Sequence, residues 1–185
     1  MEKRWVIKDA DEDKVNSLQQ DLKVHPVVCK LLVQRGIYTY EAARKFFRPV
    51  LTDLYDPFLM KDMQKAIDRI NTAIANNERI LIYGDYDVDG TTSVALAYSF
   101  FYSIYKNIDY YIPDRYLEGY GISTKGIDHA KQTECSLVIA LDCGIKAVDK
   151  IAYANTLGVD FIICDHHIPG DEVPAAFAVL DPHQK

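Results

Sequence analysis

The pattern of apolar and polar positions changes near residue 79 of this 185-residue chain. Before it, apolar residues recur at helical spacing in three short segments and along one face of residues 61–76, which predicts an amphipathic helix there. After it, short apolar runs alternate with helical segments; the runs are RILIYG, IDYYIP, SLVIALD, DFIICD and FAVLDP. Strands that alternate with helices indicate right-handed crossovers and a mostly parallel sheet. We therefore predict an α/β fold with about five strands and helices on both faces of the sheet.

The same pattern divides the chain into two parts of unequal size. Residues 1–57 are predicted to form a small helical segment, followed by an α/β domain over residues 58–185. A chain of this length can bury one substantial core and carry a small appendage.

Composition and charge narrow the class of protein. The chain is 49% hydrophobic and 26% charged, which is ordinary for a globular protein. Its cysteines are scattered without a C-x-x-C pair, and neither a signal peptide nor a long apolar run is present, so we expect a cytoplasmic protein that does not associate with membranes. The net charge of −6 provides no broad basic footprint for nucleic acid, although carboxylates that hold metals count as negative until the metals bind.

Three carboxylates, Asp85, Asp87 and Asp89, fall within five positions directly after the first predicted strand. Two like charges about 4 Å apart repel by roughly 1 kcal/mol in water and roughly 4 kcal/mol at an effective dielectric of 20, so the cluster requires a cation, a proton or full solvation. An EF-hand calcium loop is disfavoured, because its twelfth position is Leu96 instead of glutamate and a strand precedes it. Three alternatives stay open. They are a solvated turn, a phosphoesterase with paired metals, and a phosphatase similar to the haloacid dehalogenases with Asp87 as nucleophile and Asp89 as acid and base.

Two other predicted strands also end in candidate metal ligands. Asp142 follows SLVIAL, and Asp165, His166 and His167 follow DFIIC. Because ligands bind outside the carboxyl ends of parallel strands, these side chains are expected at one edge of the sheet. Carboxylates and imidazoles suit Mn²⁺ or Mg²⁺, and two such ions held about 3.5 to 4 Å apart can activate water against a phosphate ester.

Four motifs in order, YGDYDVDGTTS, IPDRYLEGYGIS, LDCGI and DHHIPG, resemble those of the DHH phosphoesterases. Within that family they are similar to the N-terminal part of the bacterial exonucleases that degrade single-stranded DNA from the 5′ end, over roughly residues 25 to 185. The resemblance implies two metal ions, Mn²⁺ or Mg²⁺, with Asp142 as the ligand that bridges them. The implied ligands are Asp85, Asp87, Asp89, Asp142 and His166. Relatives outside the exonuclease branch place a histidine near the first motif. Here Tyr83 stands two residues before Asp85, so Asp85 would replace that ligand.

The resemblance also implies roles around the metals. His167 would face the scissile phosphate or a metal, and Asp165 would orient a neighbouring imidazole. Arg115, in PDRYLEGYG, would hold a DNA phosphate or fix its loop by a salt bridge.

The implied function is metal-dependent hydrolysis of single-stranded DNA in repair and recombination, with a helicase or single-strand-binding protein as a partner. A DHH enzyme acting on short oligonucleotides or cyclic dinucleotides is an alternative, and a non-catalytic DHH-like binding subunit is another. Members of the family carry a further aspartate downstream and then a DHHA1 domain, which these 185 residues do not contain. We therefore expect this chain to be the N-terminal part of a longer protein, and to fold but have little or no exonuclease activity by itself.

Overall fold

The computed structural model describes residues 4–184, and the chain divides after Tyr55 into two units. The first unit contains three helices, α1 (Glu12–Leu22), α2 (Pro26–Val33) and α3 (Tyr40–Phe47), and a short 3₁₀ helix. Side chains of Asp11, His25 and Thr39 accept backbone N–H bonds at the starts of these helices, which satisfies donors that the first turn leaves unpaired. The helices enclose a small core of their own; its buried members are Val15, Leu18, Cys29, Leu32 and Ala43.

The second unit is built on five parallel strands. They are β1 (Arg79–Gly84), β2 (Ile108–Tyr111), β3 (Cys135–Leu141), β4 (Asp160–Cys164) and β5 (Ala178–Leu180). Their order across the sheet is β2-β1-β3-β4-β5, and every neighbouring pair is parallel. The predicted α/β class with a five-stranded sheet is therefore confirmed.

Four helices cover the two faces of this sheet. They are α4 (Met63–Ala75), α5 (Val88–Ile104), α6 (Thr124–Gln132) and α7 (Val148–Thr156). Helices α4 and α5 pack on the face that carries Ile80 and Ile82, whereas α6 and α7 pack on the face that carries Leu81 and Tyr83. All four of these β1 side chains are fully buried, as expected of a central strand covered on both sides.

The strand order places a topological switch at β1. The chain leaves β1 toward β2 on one side, and then crosses back to β3 on the other side. In doubly wound sheets the crevice at such a switch, outside the carboxyl ends of the strands, is where ligands bind. The residues that follow β1 and β3 flank this crevice.

Helix α5 begins directly after Asp87. It starts at Val88 because Oδ1 of Asp87 accepts the Gly90 N–H at 2.9 Å and so caps the first turn. Asp89 consequently lies inside the helix.

No helix among the described residues combines the length and the apolar composition that crossing a membrane requires.

Candidate metal centre

Among the described residues, the ends of β3 and β4 bring three potential metal ligands together. One ligand atom from each of Asp142, His166 and His167 lies within 4.8 Å of the others. Nε2 of His166 is 2.9 Å from Oδ1 of Asp142. Asp142 itself has a φ of 60°, a left-handed conformation that is uncommon outside glycine, and its N–H donates to the Cys164 carbonyl at 2.8 Å. Strain of this kind persists where the surrounding structure enforces it, as at functional sites.

The carboxylates after β1 interact electrostatically with Asp142. Burial raises the pKa of Asp142, and the charge of Asp87 raises it further. The pKa of Asp85 is raised in the same way, first by burial and then by Asp87, against the lowering effect of its hydrogen bonds. The charge of Asp87 therefore opposes ionisation of both Asp85 and Asp142, an arrangement that a divalent cation relieves.

Asp85 and Asp89 differ in burial and in hydrogen bonding. The Asp85 side chain is fully buried, and its two oxygens accept the N–H groups of Tyr86 at 2.7 Å and Gly121 at 3.3 Å. It therefore ties the β1 loop to the loop that precedes α6. Asp89 is exposed in the first turn of α5, and among residues 4–184 its carboxylate forms no hydrogen bond or ion pair. Its role as a metal ligand stays a prediction.

Asp165 is surrounded by hydrogen-bond donors. Its Oδ1 accepts the N–H groups of His166 and His167 and lies 2.6 Å from Nδ1 of His167, while Oδ2 accepts the Ile145 N–H at 2.9 Å. Burial alone would raise the pKa of Asp165, but these hydrogen bonds outweigh it and the net pKa is lowered. The same contact raises the pKa of His167. An imidazole whose Nδ1–H donates to a carboxylate presents Nε2 to a metal or a phosphate.

Arg115 lies in the loop between β2 and α6, with its guanidinium 5.0 Å from the centre of the Tyr86 ring. Within the described part of the chain it forms no salt bridge, so ion pairing does not fix this loop through Arg115. Glu118 performs that task, because its carboxylate accepts from the Asp114 N–H, the Ser123 hydroxyl and the Tyr111 hydroxyl. The guanidinium is left exposed beside the acids.

Two residues near the site were missed by the sequence reasoning. Asp181 follows β5 as Asp142 follows β3; it is 2% exposed, and its Oδ2 has no hydrogen-bond partner among the described residues. The strand-end rule that found Asp142 would have found it. The Tyr120 ring lies 6.0 Å from that of Tyr86 and 6.5 Å from that of His167. Its pKa is raised to about 12, by burial first and then by the charges of Asp85 and Asp87. Only its position between two glycines marks it in the sequence.

The donor set fits a hard divalent cation. Burial raises the pKa of the Cys143 thiol well above its usual range, and the nearby carboxylates raise it further, so the sulfur stays protonated. Carboxylate oxygens and imidazole nitrogens remain as ligands. That set suits Mn²⁺ or Mg²⁺ rather than a structural zinc site with thiolates.

Comparison with known proteins identifies the family of this chain. The family described as "DHH family, N-terminal domain" matches residues 79–185, and the chain belongs to the DHH family. Curated relatives of the chain include exonucleases named RecJ. The single-stranded-DNA-specific exonuclease RecJ of Bacillus subtilis (strain 168) is 46% identical over 181 residues, 98% of this chain and 23% of the relative. RecJ of Escherichia coli (strain K12) is 30% identical over 185 residues, 99% of this chain and 31% of the relative.

A solved structure shares the fold as well. The crystal structure of exonuclease RecJ bound to manganese superimposes with a TM-score of 0.63 and 28% identity, covering 70% of this chain and 33% of that one. The chain thus spans between 23% and 33% of the length of these proteins.

Proposed function

We propose that this chain carries the catalytic motifs of a metal-dependent phosphodiesterase that removes nucleotides from the 5′ end of single-stranded DNA during repair and recombination. The observation that carries the proposal is the grouping of an acid and two imidazoles from the ends of β3 and β4 beside the topological switch, with the charge of Asp87, after β1, acting on Asp142. The similarity to RecJ exonucleases supports the substrate and the direction of degradation.

The proposed cofactor is a pair of Mn²⁺ or Mg²⁺ ions, as the manganese in the similar RecJ structure suggests. The proposed ligands are Asp85, Asp87, Asp89, Asp142 and His166. The position of His167, within 4.8 Å of the other two ligand atoms, supports adding its Nε2 to that set. When bound, such ions lower the pKa of water and neutralise charge on the phosphate.

The residues of the chain itself would orient the substrate. His167, held by Asp165, would present Nε2 either to a metal or, in the protonated form that its raised pKa favours, to a phosphate oxygen. Arg115, exposed and without a carboxylate partner among residues 4–184, is proposed to hold a DNA phosphate. Asp85 keeps the two loops in register through its bonds to backbone N–H groups.

The test is the substitution Asp142→Ala in the full-length protein, with Asp171→Ala, an exposed aspartate outside the site, as the matched control. We expect the first variant to lose at least about a thousandfold in hydrolysis of a long 5′-phosphorylated single strand, a size typical of disabling a metal or oxyanion site. The control should retain wild-type activity.

Two results would redirect the proposal. Faster cleavage of a dinucleotide or a cyclic dinucleotide than of the long strand would indicate the oligonucleotide-directed alternative. Unchanged biological function in Asp142→Ala would indicate a non-catalytic binding subunit.

We also propose a cytoplasmic location and an association with a helicase or single-strand-binding protein that supplies the single strand. Free cysteines at all four positions in the chain agree with a reducing compartment. Co-purification of such a protein with the tagged full-length chain tests this association. Loss of the partner after nuclease treatment would indicate that DNA bridges the two proteins, and its retention would indicate direct contact.

A further inference from the structure

A cavity of about 290 Å³ opens beside the candidate metal centre. Asp165 and His167 belong to both, so the cavity is continuous with the place where the phosphate is proposed to react. Its volume is close to the lower end of the range, roughly 300 to 1,000 Å³, that small-molecule pockets occupy. It therefore has room for one small ligand beside the reacting group, not for an oligonucleotide.

Two lysines line this cavity, and neither forms an ion pair within residues 4–184. Nζ of Lys150 is 2.6 Å from the Thr124 hydroxyl, which is a neutral partner. The charge of Lys146 reaches His167, where it lowers the pKa that Asp165 raises. Because acidic residues outnumber basic ones in this chain, two cations without carboxylate partners beside a cavity point to an anionic ligand.

The remaining wall is apolar. Ile122 and Ile145 are 6% and 1% exposed, and Ala147 lies between Ile145 and the start of α7. An apolar wall facing two cations suits a molecule with a flat uncharged part and a phosphate.

We propose that the cavity binds one nucleotide unit of the substrate. Its base and sugar lie against Ile122, Ile145 and Ala147, and its phosphate lies between Lys146 and Lys150. This inference deepens the proposed function and rests on it, since it assigns the nucleotide next to the scissile phosphate to a defined pocket.

The experiment measures binding of deoxyadenosine 5′-monophosphate to this chain in EDTA, by isothermal titration calorimetry. The test variant carries Lys146→Gln with Lys150→Gln. The control carries Lys106→Gln with Lys131→Gln, which changes the net charge by the same amount. Lys106 donates to the Tyr102 carbonyl, before β2, and Lys131 donates to the Leu157 carbonyl, before β4. Both therefore lie at the end of the sheet opposite the cavity. We expect the test variant to lose about tenfold or more in affinity, the size expected for lost charge-assisted bonds, and the control to bind as wild type.

Ligands that lack one part identify what is bound. Inorganic phosphate and deoxyribose 5-phosphate should each bind at least about tenfold more weakly than the full nucleotide, because neither carries the base that contacts the apolar wall. Equal affinity for inorganic phosphate would overturn the assignment in favour of a simple anion site, and equal loss in test and control variants would overturn it in favour of general charge.

Failure of the pocket and failure of the proposed function are separable, because binding in EDTA requires no hydrolysis. If the lysine variants bind the nucleotide normally, the pocket assignment is wrong whatever the full-length enzyme does. If nucleotide binding depends on the lysines while full-length protein cleaves no phosphodiester, the pocket stands and the proposed exonuclease function fails.

Discussion

At the scale of single residues, Asp142 and Asp165 follow neighbouring strands but have opposite electrostatic surroundings. Asp142 is buried near Asp87, which raises its pKa, so its charge is unfavourable in the folded chain without a cation. Asp165 accepts bonds from several donors, which lower its pKa, so its charge is already satisfied. The first is suited to bind a metal and the second to hold a histidine in place.

This contrast predicts different results from the same chemical change. In EDTA, Asp142→Asn should leave the free energy of unfolding unchanged or raise it, whereas Asp165→Asn should lower it by about 1–3 kcal/mol because buried donors lose their acceptor. With Mn²⁺ at about 100 times its Kd, wild type should gain about 2.7 kcal/mol, and Asp142→Asn should gain none. Urea titrations with and without Mn²⁺ provide the measurement. Clear destabilisation of metal-free Asp142→Asn would contradict this reading of the site.

Gly90 is a second residue on which the site depends. A Cβ at this position would lie 2.5 Å from the Asp85 carbonyl oxygen and 2.6 Å from its backbone nitrogen, and backbone atoms cannot move away independently. We predict that Gly90→Ala lowers the free energy of unfolding by about 1–3 kcal/mol, as overpacking does, and weakens Mn²⁺ binding. Gly170→Ala is the control, because a Cβ at Gly170 would lie 3.8 Å from its nearest neighbour, the Glu172 carbonyl oxygen. This variant should keep wild-type stability. Equal stability of the two variants would show that the β1 loop tolerates displacement.

At the scale of elements, a partly buried ionic network fixes α4 to the sheet edge opposite the site. Arg69 of α4 donates at 2.7 Å both to Glu78, before β1, and to Asp160, at the start of β4. Glu78 also accepts from the Ser136 hydroxyl at the start of β3. One guanidinium therefore holds the starts of two strands that deliver site residues at their other ends.

This network predicts a pH dependence of stability. Burial alone would raise the pKa of Glu78, but bonds from Ser136 and Arg69 outweigh it, so the folded pKa lies below the ordinary value of 4.5. Stabilisation by Glu78 is then complete above about pH 4.5 and is lost as the pH falls through the lower folded pKa. Glu78→Gln should cost about 1–2 kcal/mol at pH 7 and less at pH 3, by urea unfolding. Glu134→Gln, at an exposed position, serves as the control. If the loss of unfolding free energy in Glu78→Gln is as large at pH 3 as at pH 7, the stabilising role of ionised Glu78 is wrong.

At the scale of the whole molecule, charge decides what the chain can bind by itself. With 21 basic and 27 acidic residues, it has no net attraction for a polyanion. We predict that in EDTA and physiological salt the chain binds a fluorescent single strand no more tightly than it binds a mononucleotide. Mn²⁺ should strengthen binding of the strand, and Arg115→Ala should reduce that binding. Fluorescence anisotropy measures both. Tight binding in EDTA would indicate a basic surface that these charges do not suggest.

The sequence by itself determined the α/β class, the five strands and the strand-end positions of Asp142 and the DHH triplet. These features follow from apolar periodicity and from the succession of strands and helices along the chain, which are local properties. Tertiary structure decided what each acid does. Asp87 caps α5 through a local bond to the Gly90 N–H, whereas Asp85 is buried and accepts the N–H of Gly121, which lies in a loop 36 residues away. The unpaired oxygen of Asp181 and the lysines of the cavity likewise became visible only when packing set their neighbours, since burial and charge pairing are properties of the folded chain.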